Sequence, residues 1–161
     1  MKVVFIPAYD RPEDLAPLFR EYSDMLIALE PDMAQCLANQ NYDEELQHLR
    51  DKFGEPGGRI YLLEVDGAAA GCIALRGLAE DVCELKRVYL RPAYRGQGLS
   101  RIMMEQTLAD ARAAGYRYMR LDTFPSLSAA CHLYEVLGFY EIPPYYDTNP
   151  LKDAVYMEKK L

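Results

Sequence analysis

The sequence has 161 residues, 50% of them hydrophobic and 27% charged, with a formal net charge of −7. That length and balance fit one globular domain, residues 1–161, with a core of its own. The acidic excess argues against nonspecific nucleic-acid binding, and no apolar run approaches the ~20 residues of a membrane span.

The first element is a strand over Lys2–Tyr9. Its apolar run Val3–Ile6 is far too short for a signal-peptide core, so a cytoplasmic location is expected. Arg11-Pro12-Glu13-Asp14 starts a helix, with proline and acids in the first turn, and the helix continues to about Leu29 before Pro31. Gln35–Tyr42 has no clear period. Asp43-Glu44-Glu45-Leu46 opens a second helix, expected to run to Phe53, and Gly54-Glu55-Pro56-Gly57-Gly58 breaks the chain. Arg59–Val65, the turn Asp66-Gly67 and Ala68–Leu78 form an antiparallel hairpin.

Val82–Leu90 is a further strand. From Gly98 to about Ala114 a helix follows, its charges Arg101, Glu105 and Arg112 gathered on one side as for a helix lying on a sheet. Gly115 stops it. Tyr116–Thr123 is a strand, Ser126–Leu137 a short helix with Leu127, Ala130, Cys131, Tyr134 and Leu137 on one stripe, Phe139–Ile142 a strand, and Ala154–Lys159 the strand that closes the sheet. These elements define a mixed α/β (α+β) domain: helices on a mainly antiparallel sheet, with one parallel crossover from Val82–Leu90 through the long helix to Tyr116–Thr123. The surface of the final strand is one place where a second copy could pair to make a homodimer.

Cys36, Cys72, Cys83 and Cys131 show no CxxC spacing, and His48 and His132 stand alone. They read as buried thiols and polar-face residues, and no metal site is expected. The chemistry lies elsewhere. Lys86 to Arg101 holds five basic residues and no acidic one, against the acidic trend of the whole chain. A strand that feeds a glycine-containing turn and then a helix presents free backbone N–H groups suited to phosphate or pyrophosphate. A P-loop is excluded, because no G-x-x-x-x-G-K-[ST] supplies the lysine and hydroxyl. A dinucleotide fingerprint is also excluded: Arg101 stands where the third glycine belongs, and a hairpin precedes the motif instead of a βαβ unit.

Arg95-Gly96-Gln97-Gly98-Leu99-Ser100 resembles the R/Q-x-x-G-x-G/A pyrophosphate loop of the GNAT acyl-CoA N-acyltransferases. Val88-Tyr89-Leu90-Arg91-Pro92 looks like that family's central strand, and Leu133-Tyr134-Glu135-Val136-Leu137-Gly138-Phe139 like its L-Y-x-x-x-G-F motif. Ser100 replaces the usual Gly or Ala, and Leu127 the asparagine many members carry, so the contact of that amide is not carried over. The resemblance spans most of the chain and implies the GNAT fold.

By that resemblance, the amides from Arg95 to Ser100 hold the pyrophosphate of acetyl-CoA, and Val88, Tyr89 and Leu90 line the pantetheine arm through their main chain. The Val88 N–H bonds the thioester oxygen. Glu84, four residues earlier, is where several members carry a base; strict alternation puts Glu84, Lys86, Val88 and Leu90 on one strand face. Its carboxylate reads either as a base acting through water or as the partner of Lys86 or another basic neighbour. Tyr134 reads as the acid for the leaving thiolate or as part of the apolar stripe. His132 is placed on the polar face. Gln40-Asn41-Tyr42 and Pro144-Tyr145-Tyr146-Asp147 either line the acceptor pocket or are solvated loops.

The implied function is transfer of an acetyl group from acetyl-CoA to the primary amine of a small molecule by direct attack in a ternary complex, without metal. The rival readings are a noncatalytic acyl-CoA-binding regulatory module and a protein N-terminal or lysine acetyltransferase.

Overall fold

A computed structural model describes residues 1–38, 41–146 and 153–161. Gln40 and Asp147, expected beside the acceptor, lie outside the described residues, as does the side chain of Cys36. Strands β1 (Val3–Pro7), β2 (Arg59–Val65), β3 (Ala68–Ala79), β4 (Val82–Leu90), β5 (Tyr118–Thr123), β6 (Tyr140–Ile142) and β7 (Val155–Lys160) form one sheet in the order β1-β2-β3-β4-β5-β7-β6. Helices α1 (Pro12–Leu29), α2 (Met33–Ala38), α3 (Tyr42–Gln47), α4 (Leu49–Phe53), α5 (Leu99–Ala113) and α6 (Ser128–Val136), with one 3-10 turn at Pro92–Tyr94, complete the described elements.

The β2–β3 hairpin turns at Asp66 and Gly67, with φ of 51° and 84°. Two positive φ values in a two-residue loop match the right-handed strand twist, which explains the preference for Asp-Gly. Among the described residues β4 and β5 make the one parallel pair, joined through α5 as expected. The final strand departs from expectation. β7 pairs with β5 on one edge and β6 on the other, so its hydrogen-bonding edges are occupied and β6 is the edge strand.

Each sheet face has a core. Leu99, Met103, Met104, Leu108 and Ala111 recur at helical spacing on α5 and pack, with Tyr134 of α6, onto Ile73, Leu75, Leu85, Met119 and Leu121. On the other face Leu15, Leu18 and Phe19 of α1, with Leu49 and Phe53 of α4, cover Ile60, Leu62, Cys72, Ala74 and Tyr89. The helix expected over Asp43–Phe53 is broken at His48. A continuous helix would have to serve two surfaces: Leu49 and Phe53 dock on β2–β3, whereas Glu45 reaches toward β4. Asn41 caps α3, its side chain accepting from the Glu44 N–H at 3.1 Å, so the helix begins before Asp43.

Candidate active site

The loop between β4 and α5 is a row of unused donors. The N–H groups of Gly96, Gln97, Gly98, Leu99, Ser100 and Arg101 pair with no backbone or side-chain acceptor among the described residues, and no side chain caps α5. Gly96 and Gly98 have φ of 76° and 77°, and a Cβ added to either would have no heavy atom within 4 Å. Space therefore lies above the loop, at the positive end of a 15-residue helix. A phosphate-sized anion fits that donor set.

The basic run itself contributes less than its sequence implies. Lys86 lies 3.6 Å from Glu84, Arg87 pairs with Glu45 at 2.7 Å, Arg91 with Glu21 at 2.8 Å and Arg101 with Glu105 at 2.9 Å. Glu21 and Glu45 come from distant segments, and Glu84 and Glu105 from the same strand and helix as their cations. Arg95 has no carboxylate partner among the described residues; its Nε donates to the Leu90 carbonyl at 2.8 Å, and its guanidinium lies over the Tyr89 ring. The anion is thus left to main-chain amides and Arg95. The Leu90 carbonyl keeps a second lone pair for a pantetheine amide.

β4 leaves its neighbours on both sides. Its pairing with β5 ends at Glu84↔Arg120. Against β3 the register jumps from Lys86↔Ala74 to Tyr89↔Cys72, leaving Arg87 and Val88 in a bulge where Arg87 has φ of 57°. Val88 therefore has no residue in register on either neighbouring strand. The Arg91 N–H donates to the Ala70 carbonyl, so Leu90, one residue before, turns its own main-chain groups toward the open edge.

The bulge corrects the expected alternation. Cys83 and Leu85 face α5, and so do Val88 and Leu90, while Glu84 and Lys86 share the opposite face with Tyr89. Glu84 and the Val88 side chain lie on opposite sides of the sheet. Arg87 also turns to the α1–α3 side, its guanidinium 4.9 Å from the Tyr42 ring centroid and 5.8 Å from that of Phe19.

Glu84 is fully buried. Oε1 accepts from Arg76 at 2.8 Å, and Oε2 accepts from the Tyr145 and Tyr146 hydroxyls at 2.9 and 2.5 Å. Burial pushes its carboxyl upward, but the Lys86 charge and the Tyr146 and Arg76 hydrogen bonds together outweigh it, and the net shift is down. A carboxylate so held is a poor direct proton acceptor. It anchors the chain after β6, which brings Tyr145 and Tyr146 over the site.

Asp122 was not singled out from the sequence. Met119 and Leu121 point into the α5 core, so Arg120 and Asp122 face the Glu84 side, and Asp122 lies two residues past the point where β4 and β5 part. It is half-buried, and no described side chain donates to it. Desolvation pushes its carboxyl above the ordinary range, Glu84 adding to the rise while Lys86 and Arg87 oppose it. The one sequence signal was a charged residue at alternate positions of an otherwise apolar strand.

Tyr134 is buried in the α5-side core, its ring 5.7 Å from that of Phe139. Its hydroxyl is held protonated by burial, with Cys131 and Asp122 acting in the same direction. Tyr22, reaching in from α1 on the other face, is also raised by burial and feels both Tyr134 and Asp122. Tyr134 on the α5 side and Tyr22 on the α1 side thus flank the strand ends where β4 and β5 part. His132 is exposed, as expected. Leu127 occupies the N-cap of α6 and supplies no cap hydrogen bond; its side chain packs beside Phe124 and Leu26 instead.

Residues 22–139 match the profile of the acetyltransferase (GNAT) family. An uncharacterized N-acetyltransferase of Schizosaccharomyces pombe is 34% identical over 98% of this chain and 95% of its own. An IAA acetyltransferase of Azospirillum brasilense is 30% identical, covering 74% of this chain and 80% of its own. The PaiA N-acetyltransferase of Thermoplasma acidophilum, solved in complex with coenzyme A, shares the fold at a TM-score of 0.79 over 100% of both chains, with 20% identity. With the opened β4 edge and the amide-lined loop in place, the chain belongs to the GNAT acetyltransferase family and is an acyltransferase.

Proposed function

We propose that this enzyme transfers an acetyl group from acetyl-CoA to the primary amine of a small molecule by direct attack in a ternary complex. The observation that carries the reading is the alignment of the open edge of β4, at the Val88 bulge and Leu90, with the unpaired amides of Gly96–Arg101. Pyrophosphate, pantetheine and thioester require donors in that order. The coenzyme A complex of PaiA supports the choice of donor.

The amides of the α5 N-terminus take the pyrophosphate, and Val88 and Leu90 pair with the pantetheine arm. The Val88 N–H is aimed at the thioester oxygen, where negative charge grows during attack. Tyr134 donates to the departing sulfur. Its raised pKa keeps the proton in place at all working pH values and makes full transfer uphill, so its contribution is a hydrogen bond to developing thiolate. Glu84 holds Tyr145 and Tyr146 as a wall of the acceptor side.

Calorimetry with coenzyme A, followed by thiol release from acetyl-CoA against a panel of small primary amines, tests the reading. Binding and turnover on at least one amine are expected. Absence of binding by folded protein overturns it, and binding without turnover on any amine or peptide replaces it with the regulatory-module reading.

A further inference from the structure

We infer that the Asp122 carboxylate receives the acceptor's ammonium group and takes its proton, a role that rests on the acetyl-transfer reading above. An amine with pKa near 10 is almost wholly protonated at neutral pH and cannot attack until one proton has left. The group that removes it must stand at the β4–β5 gap, must have a free lone pair and must be reachable from the acceptor side.

Asp122 meets these conditions by position. Continuing the Glu84↔Arg120 register by two residues sets Asp122 level with Lys86, where the strands no longer pair. Its neighbour acids are all engaged: Glu84 by Arg76 and two tyrosines, Glu45 by Arg87 and Lys52, Glu158 by Arg120. Asp122 alone among these has no donor from a described side chain. The groups around it come from every packed element: Glu84, Lys86 and Arg87 on β4, Tyr22 on α1, Tyr134 on α6, Tyr145 after β6, and Tyr156 opposite it on β7. Burial keeps Tyr22, Tyr134 and Tyr145 neutral, so the local charge is set by Lys86 and Arg87 against Glu84.

The two carboxylates on this face are driven in opposite directions. Glu84 is stabilised as an anion by its side-chain donors, whereas Asp122 is partly desolvated and held only by its own backbone N–H, and the net shift of its carboxyl is up. Separation of this kind distinguishes a structural anion from a group that exchanges protons.

The step balances as follows. Asp122 accepts one proton from the ammonium, freeing the nitrogen lone pair, which forms the N–C bond as the carbonyl π pair moves onto the oxygen held by Val88. On collapse the C–S bond breaks with its electron pair on sulfur. Tyr134 stabilises that pair with a hydrogen bond, and the surplus proton on nitrogen passes to the sulfur, which leaves as the thiol. Asp122 returns its proton to water.

The test is the pH dependence of kcat/KM for Asp122→Asn beside wild type, on the amine that the wild type acetylates, with coenzyme A affinity measured on the same samples. The expected result is a loss of about 10²-fold or more at neutral pH, disappearance of the acidic limb of the profile, and unchanged coenzyme A binding. Formate added to Asp122→Ala should restore part of the rate, which a purely structural role would not allow. If Asp122→Asn keeps both the wild-type rate and the acidic limb, the assignment fails while the transfer reading stands. If the wild type itself neither binds coenzyme A nor releases thiol, the transfer reading fails first. Should Asp122→Asn not fold, Asp122→Glu decides: a displaced acidic limb supports the role and an unmoved one overturns it.

Discussion

Arg87 and Glu45 are joined by two hydrogen bonds, Nε to Oε2 at 2.8 Å and Nη2 to Oε1 at 2.7 Å, and both side chains are more than nine-tenths buried. Arg87 is the bulge residue, and the pair ties that bulge to α3. Removing one partner leaves an uncompensated buried charge, so Glu45→Ala should lower stability by about 3–5 kcal/mol. Urea denaturation measures this. Because the bulge also frees Val88, kcat should fall in the folded fraction more than coenzyme A affinity does.

Acid should unfold the protein in a defined window. Burial pushes Glu45, Glu84 and Glu158 upward, yet their cationic and hydroxyl partners hold all three below the ordinary value. As pH falls, the unfolded chain takes up protons first, at about pH 4.3, and the folded state loses that stability down through its own lower pKa values. Asp122 has the opposite sign: it costs stability when ionised. A urea midpoint that is flat above about pH 5 and drops below about pH 4.3 is expected, and Asp122→Asn should raise the neutral midpoint.

Gly98 separates fold from ligand. Its φ of 77° makes Gly98→Ala cost about 1–2 kcal/mol in backbone strain, but the new methyl meets no protein atom within 4 Å. It projects into the space above the amides. A small drop in Tm with at least a roughly tenfold weaker coenzyme A Kd is expected, about 1.4 kcal/mol of lost binding, read by calorimetry.

Tyr134→Phe removes a hydroxyl that has no hydrogen-bond partner among the described side chains. The fold should be unaffected. A thiolate of pKa near 8.5 leaves readily, so kcat should fall about tenfold, below the usual range for a general acid, with KM for acetyl-CoA unchanged. A steady-state comparison with wild type checks this, and equal kcat values would return Tyr134 to the core alone.

Glu84→Gln keeps the shape but weakens the hold on Arg76, Tyr145 and Tyr146. KM for the amine should rise several-fold while the acidic limb of the pH profile stays in place. Loss of that limb would make Glu84 the base after all.

The strand–loop–helix unit and the Tyr134 motif were legible because each is local: glycines, a helix start and apolar spacing lie in one short stretch. The face of Glu84 was not. Alternation holds only while the register is unbroken, and a positive φ at an arginine leaves no mark in composition. Nor could the basic run reveal its partners, since Glu21 and Glu45 are brought to it by α1 and α3. Asp122 was passed over for the same reason: its isolation depends on where two strands part.

The threading of β7 between β5 and β6 has a consequence for biosynthesis. Tyr140–Ile142 leaves the ribosome before its hydrogen-bonding neighbour exists, whereas β1 through α5 already have theirs. Vectorial folding can therefore assemble the donor-binding half first. Tyr145, which packs edge-on against Tyr156, sets only when β7 slots into place.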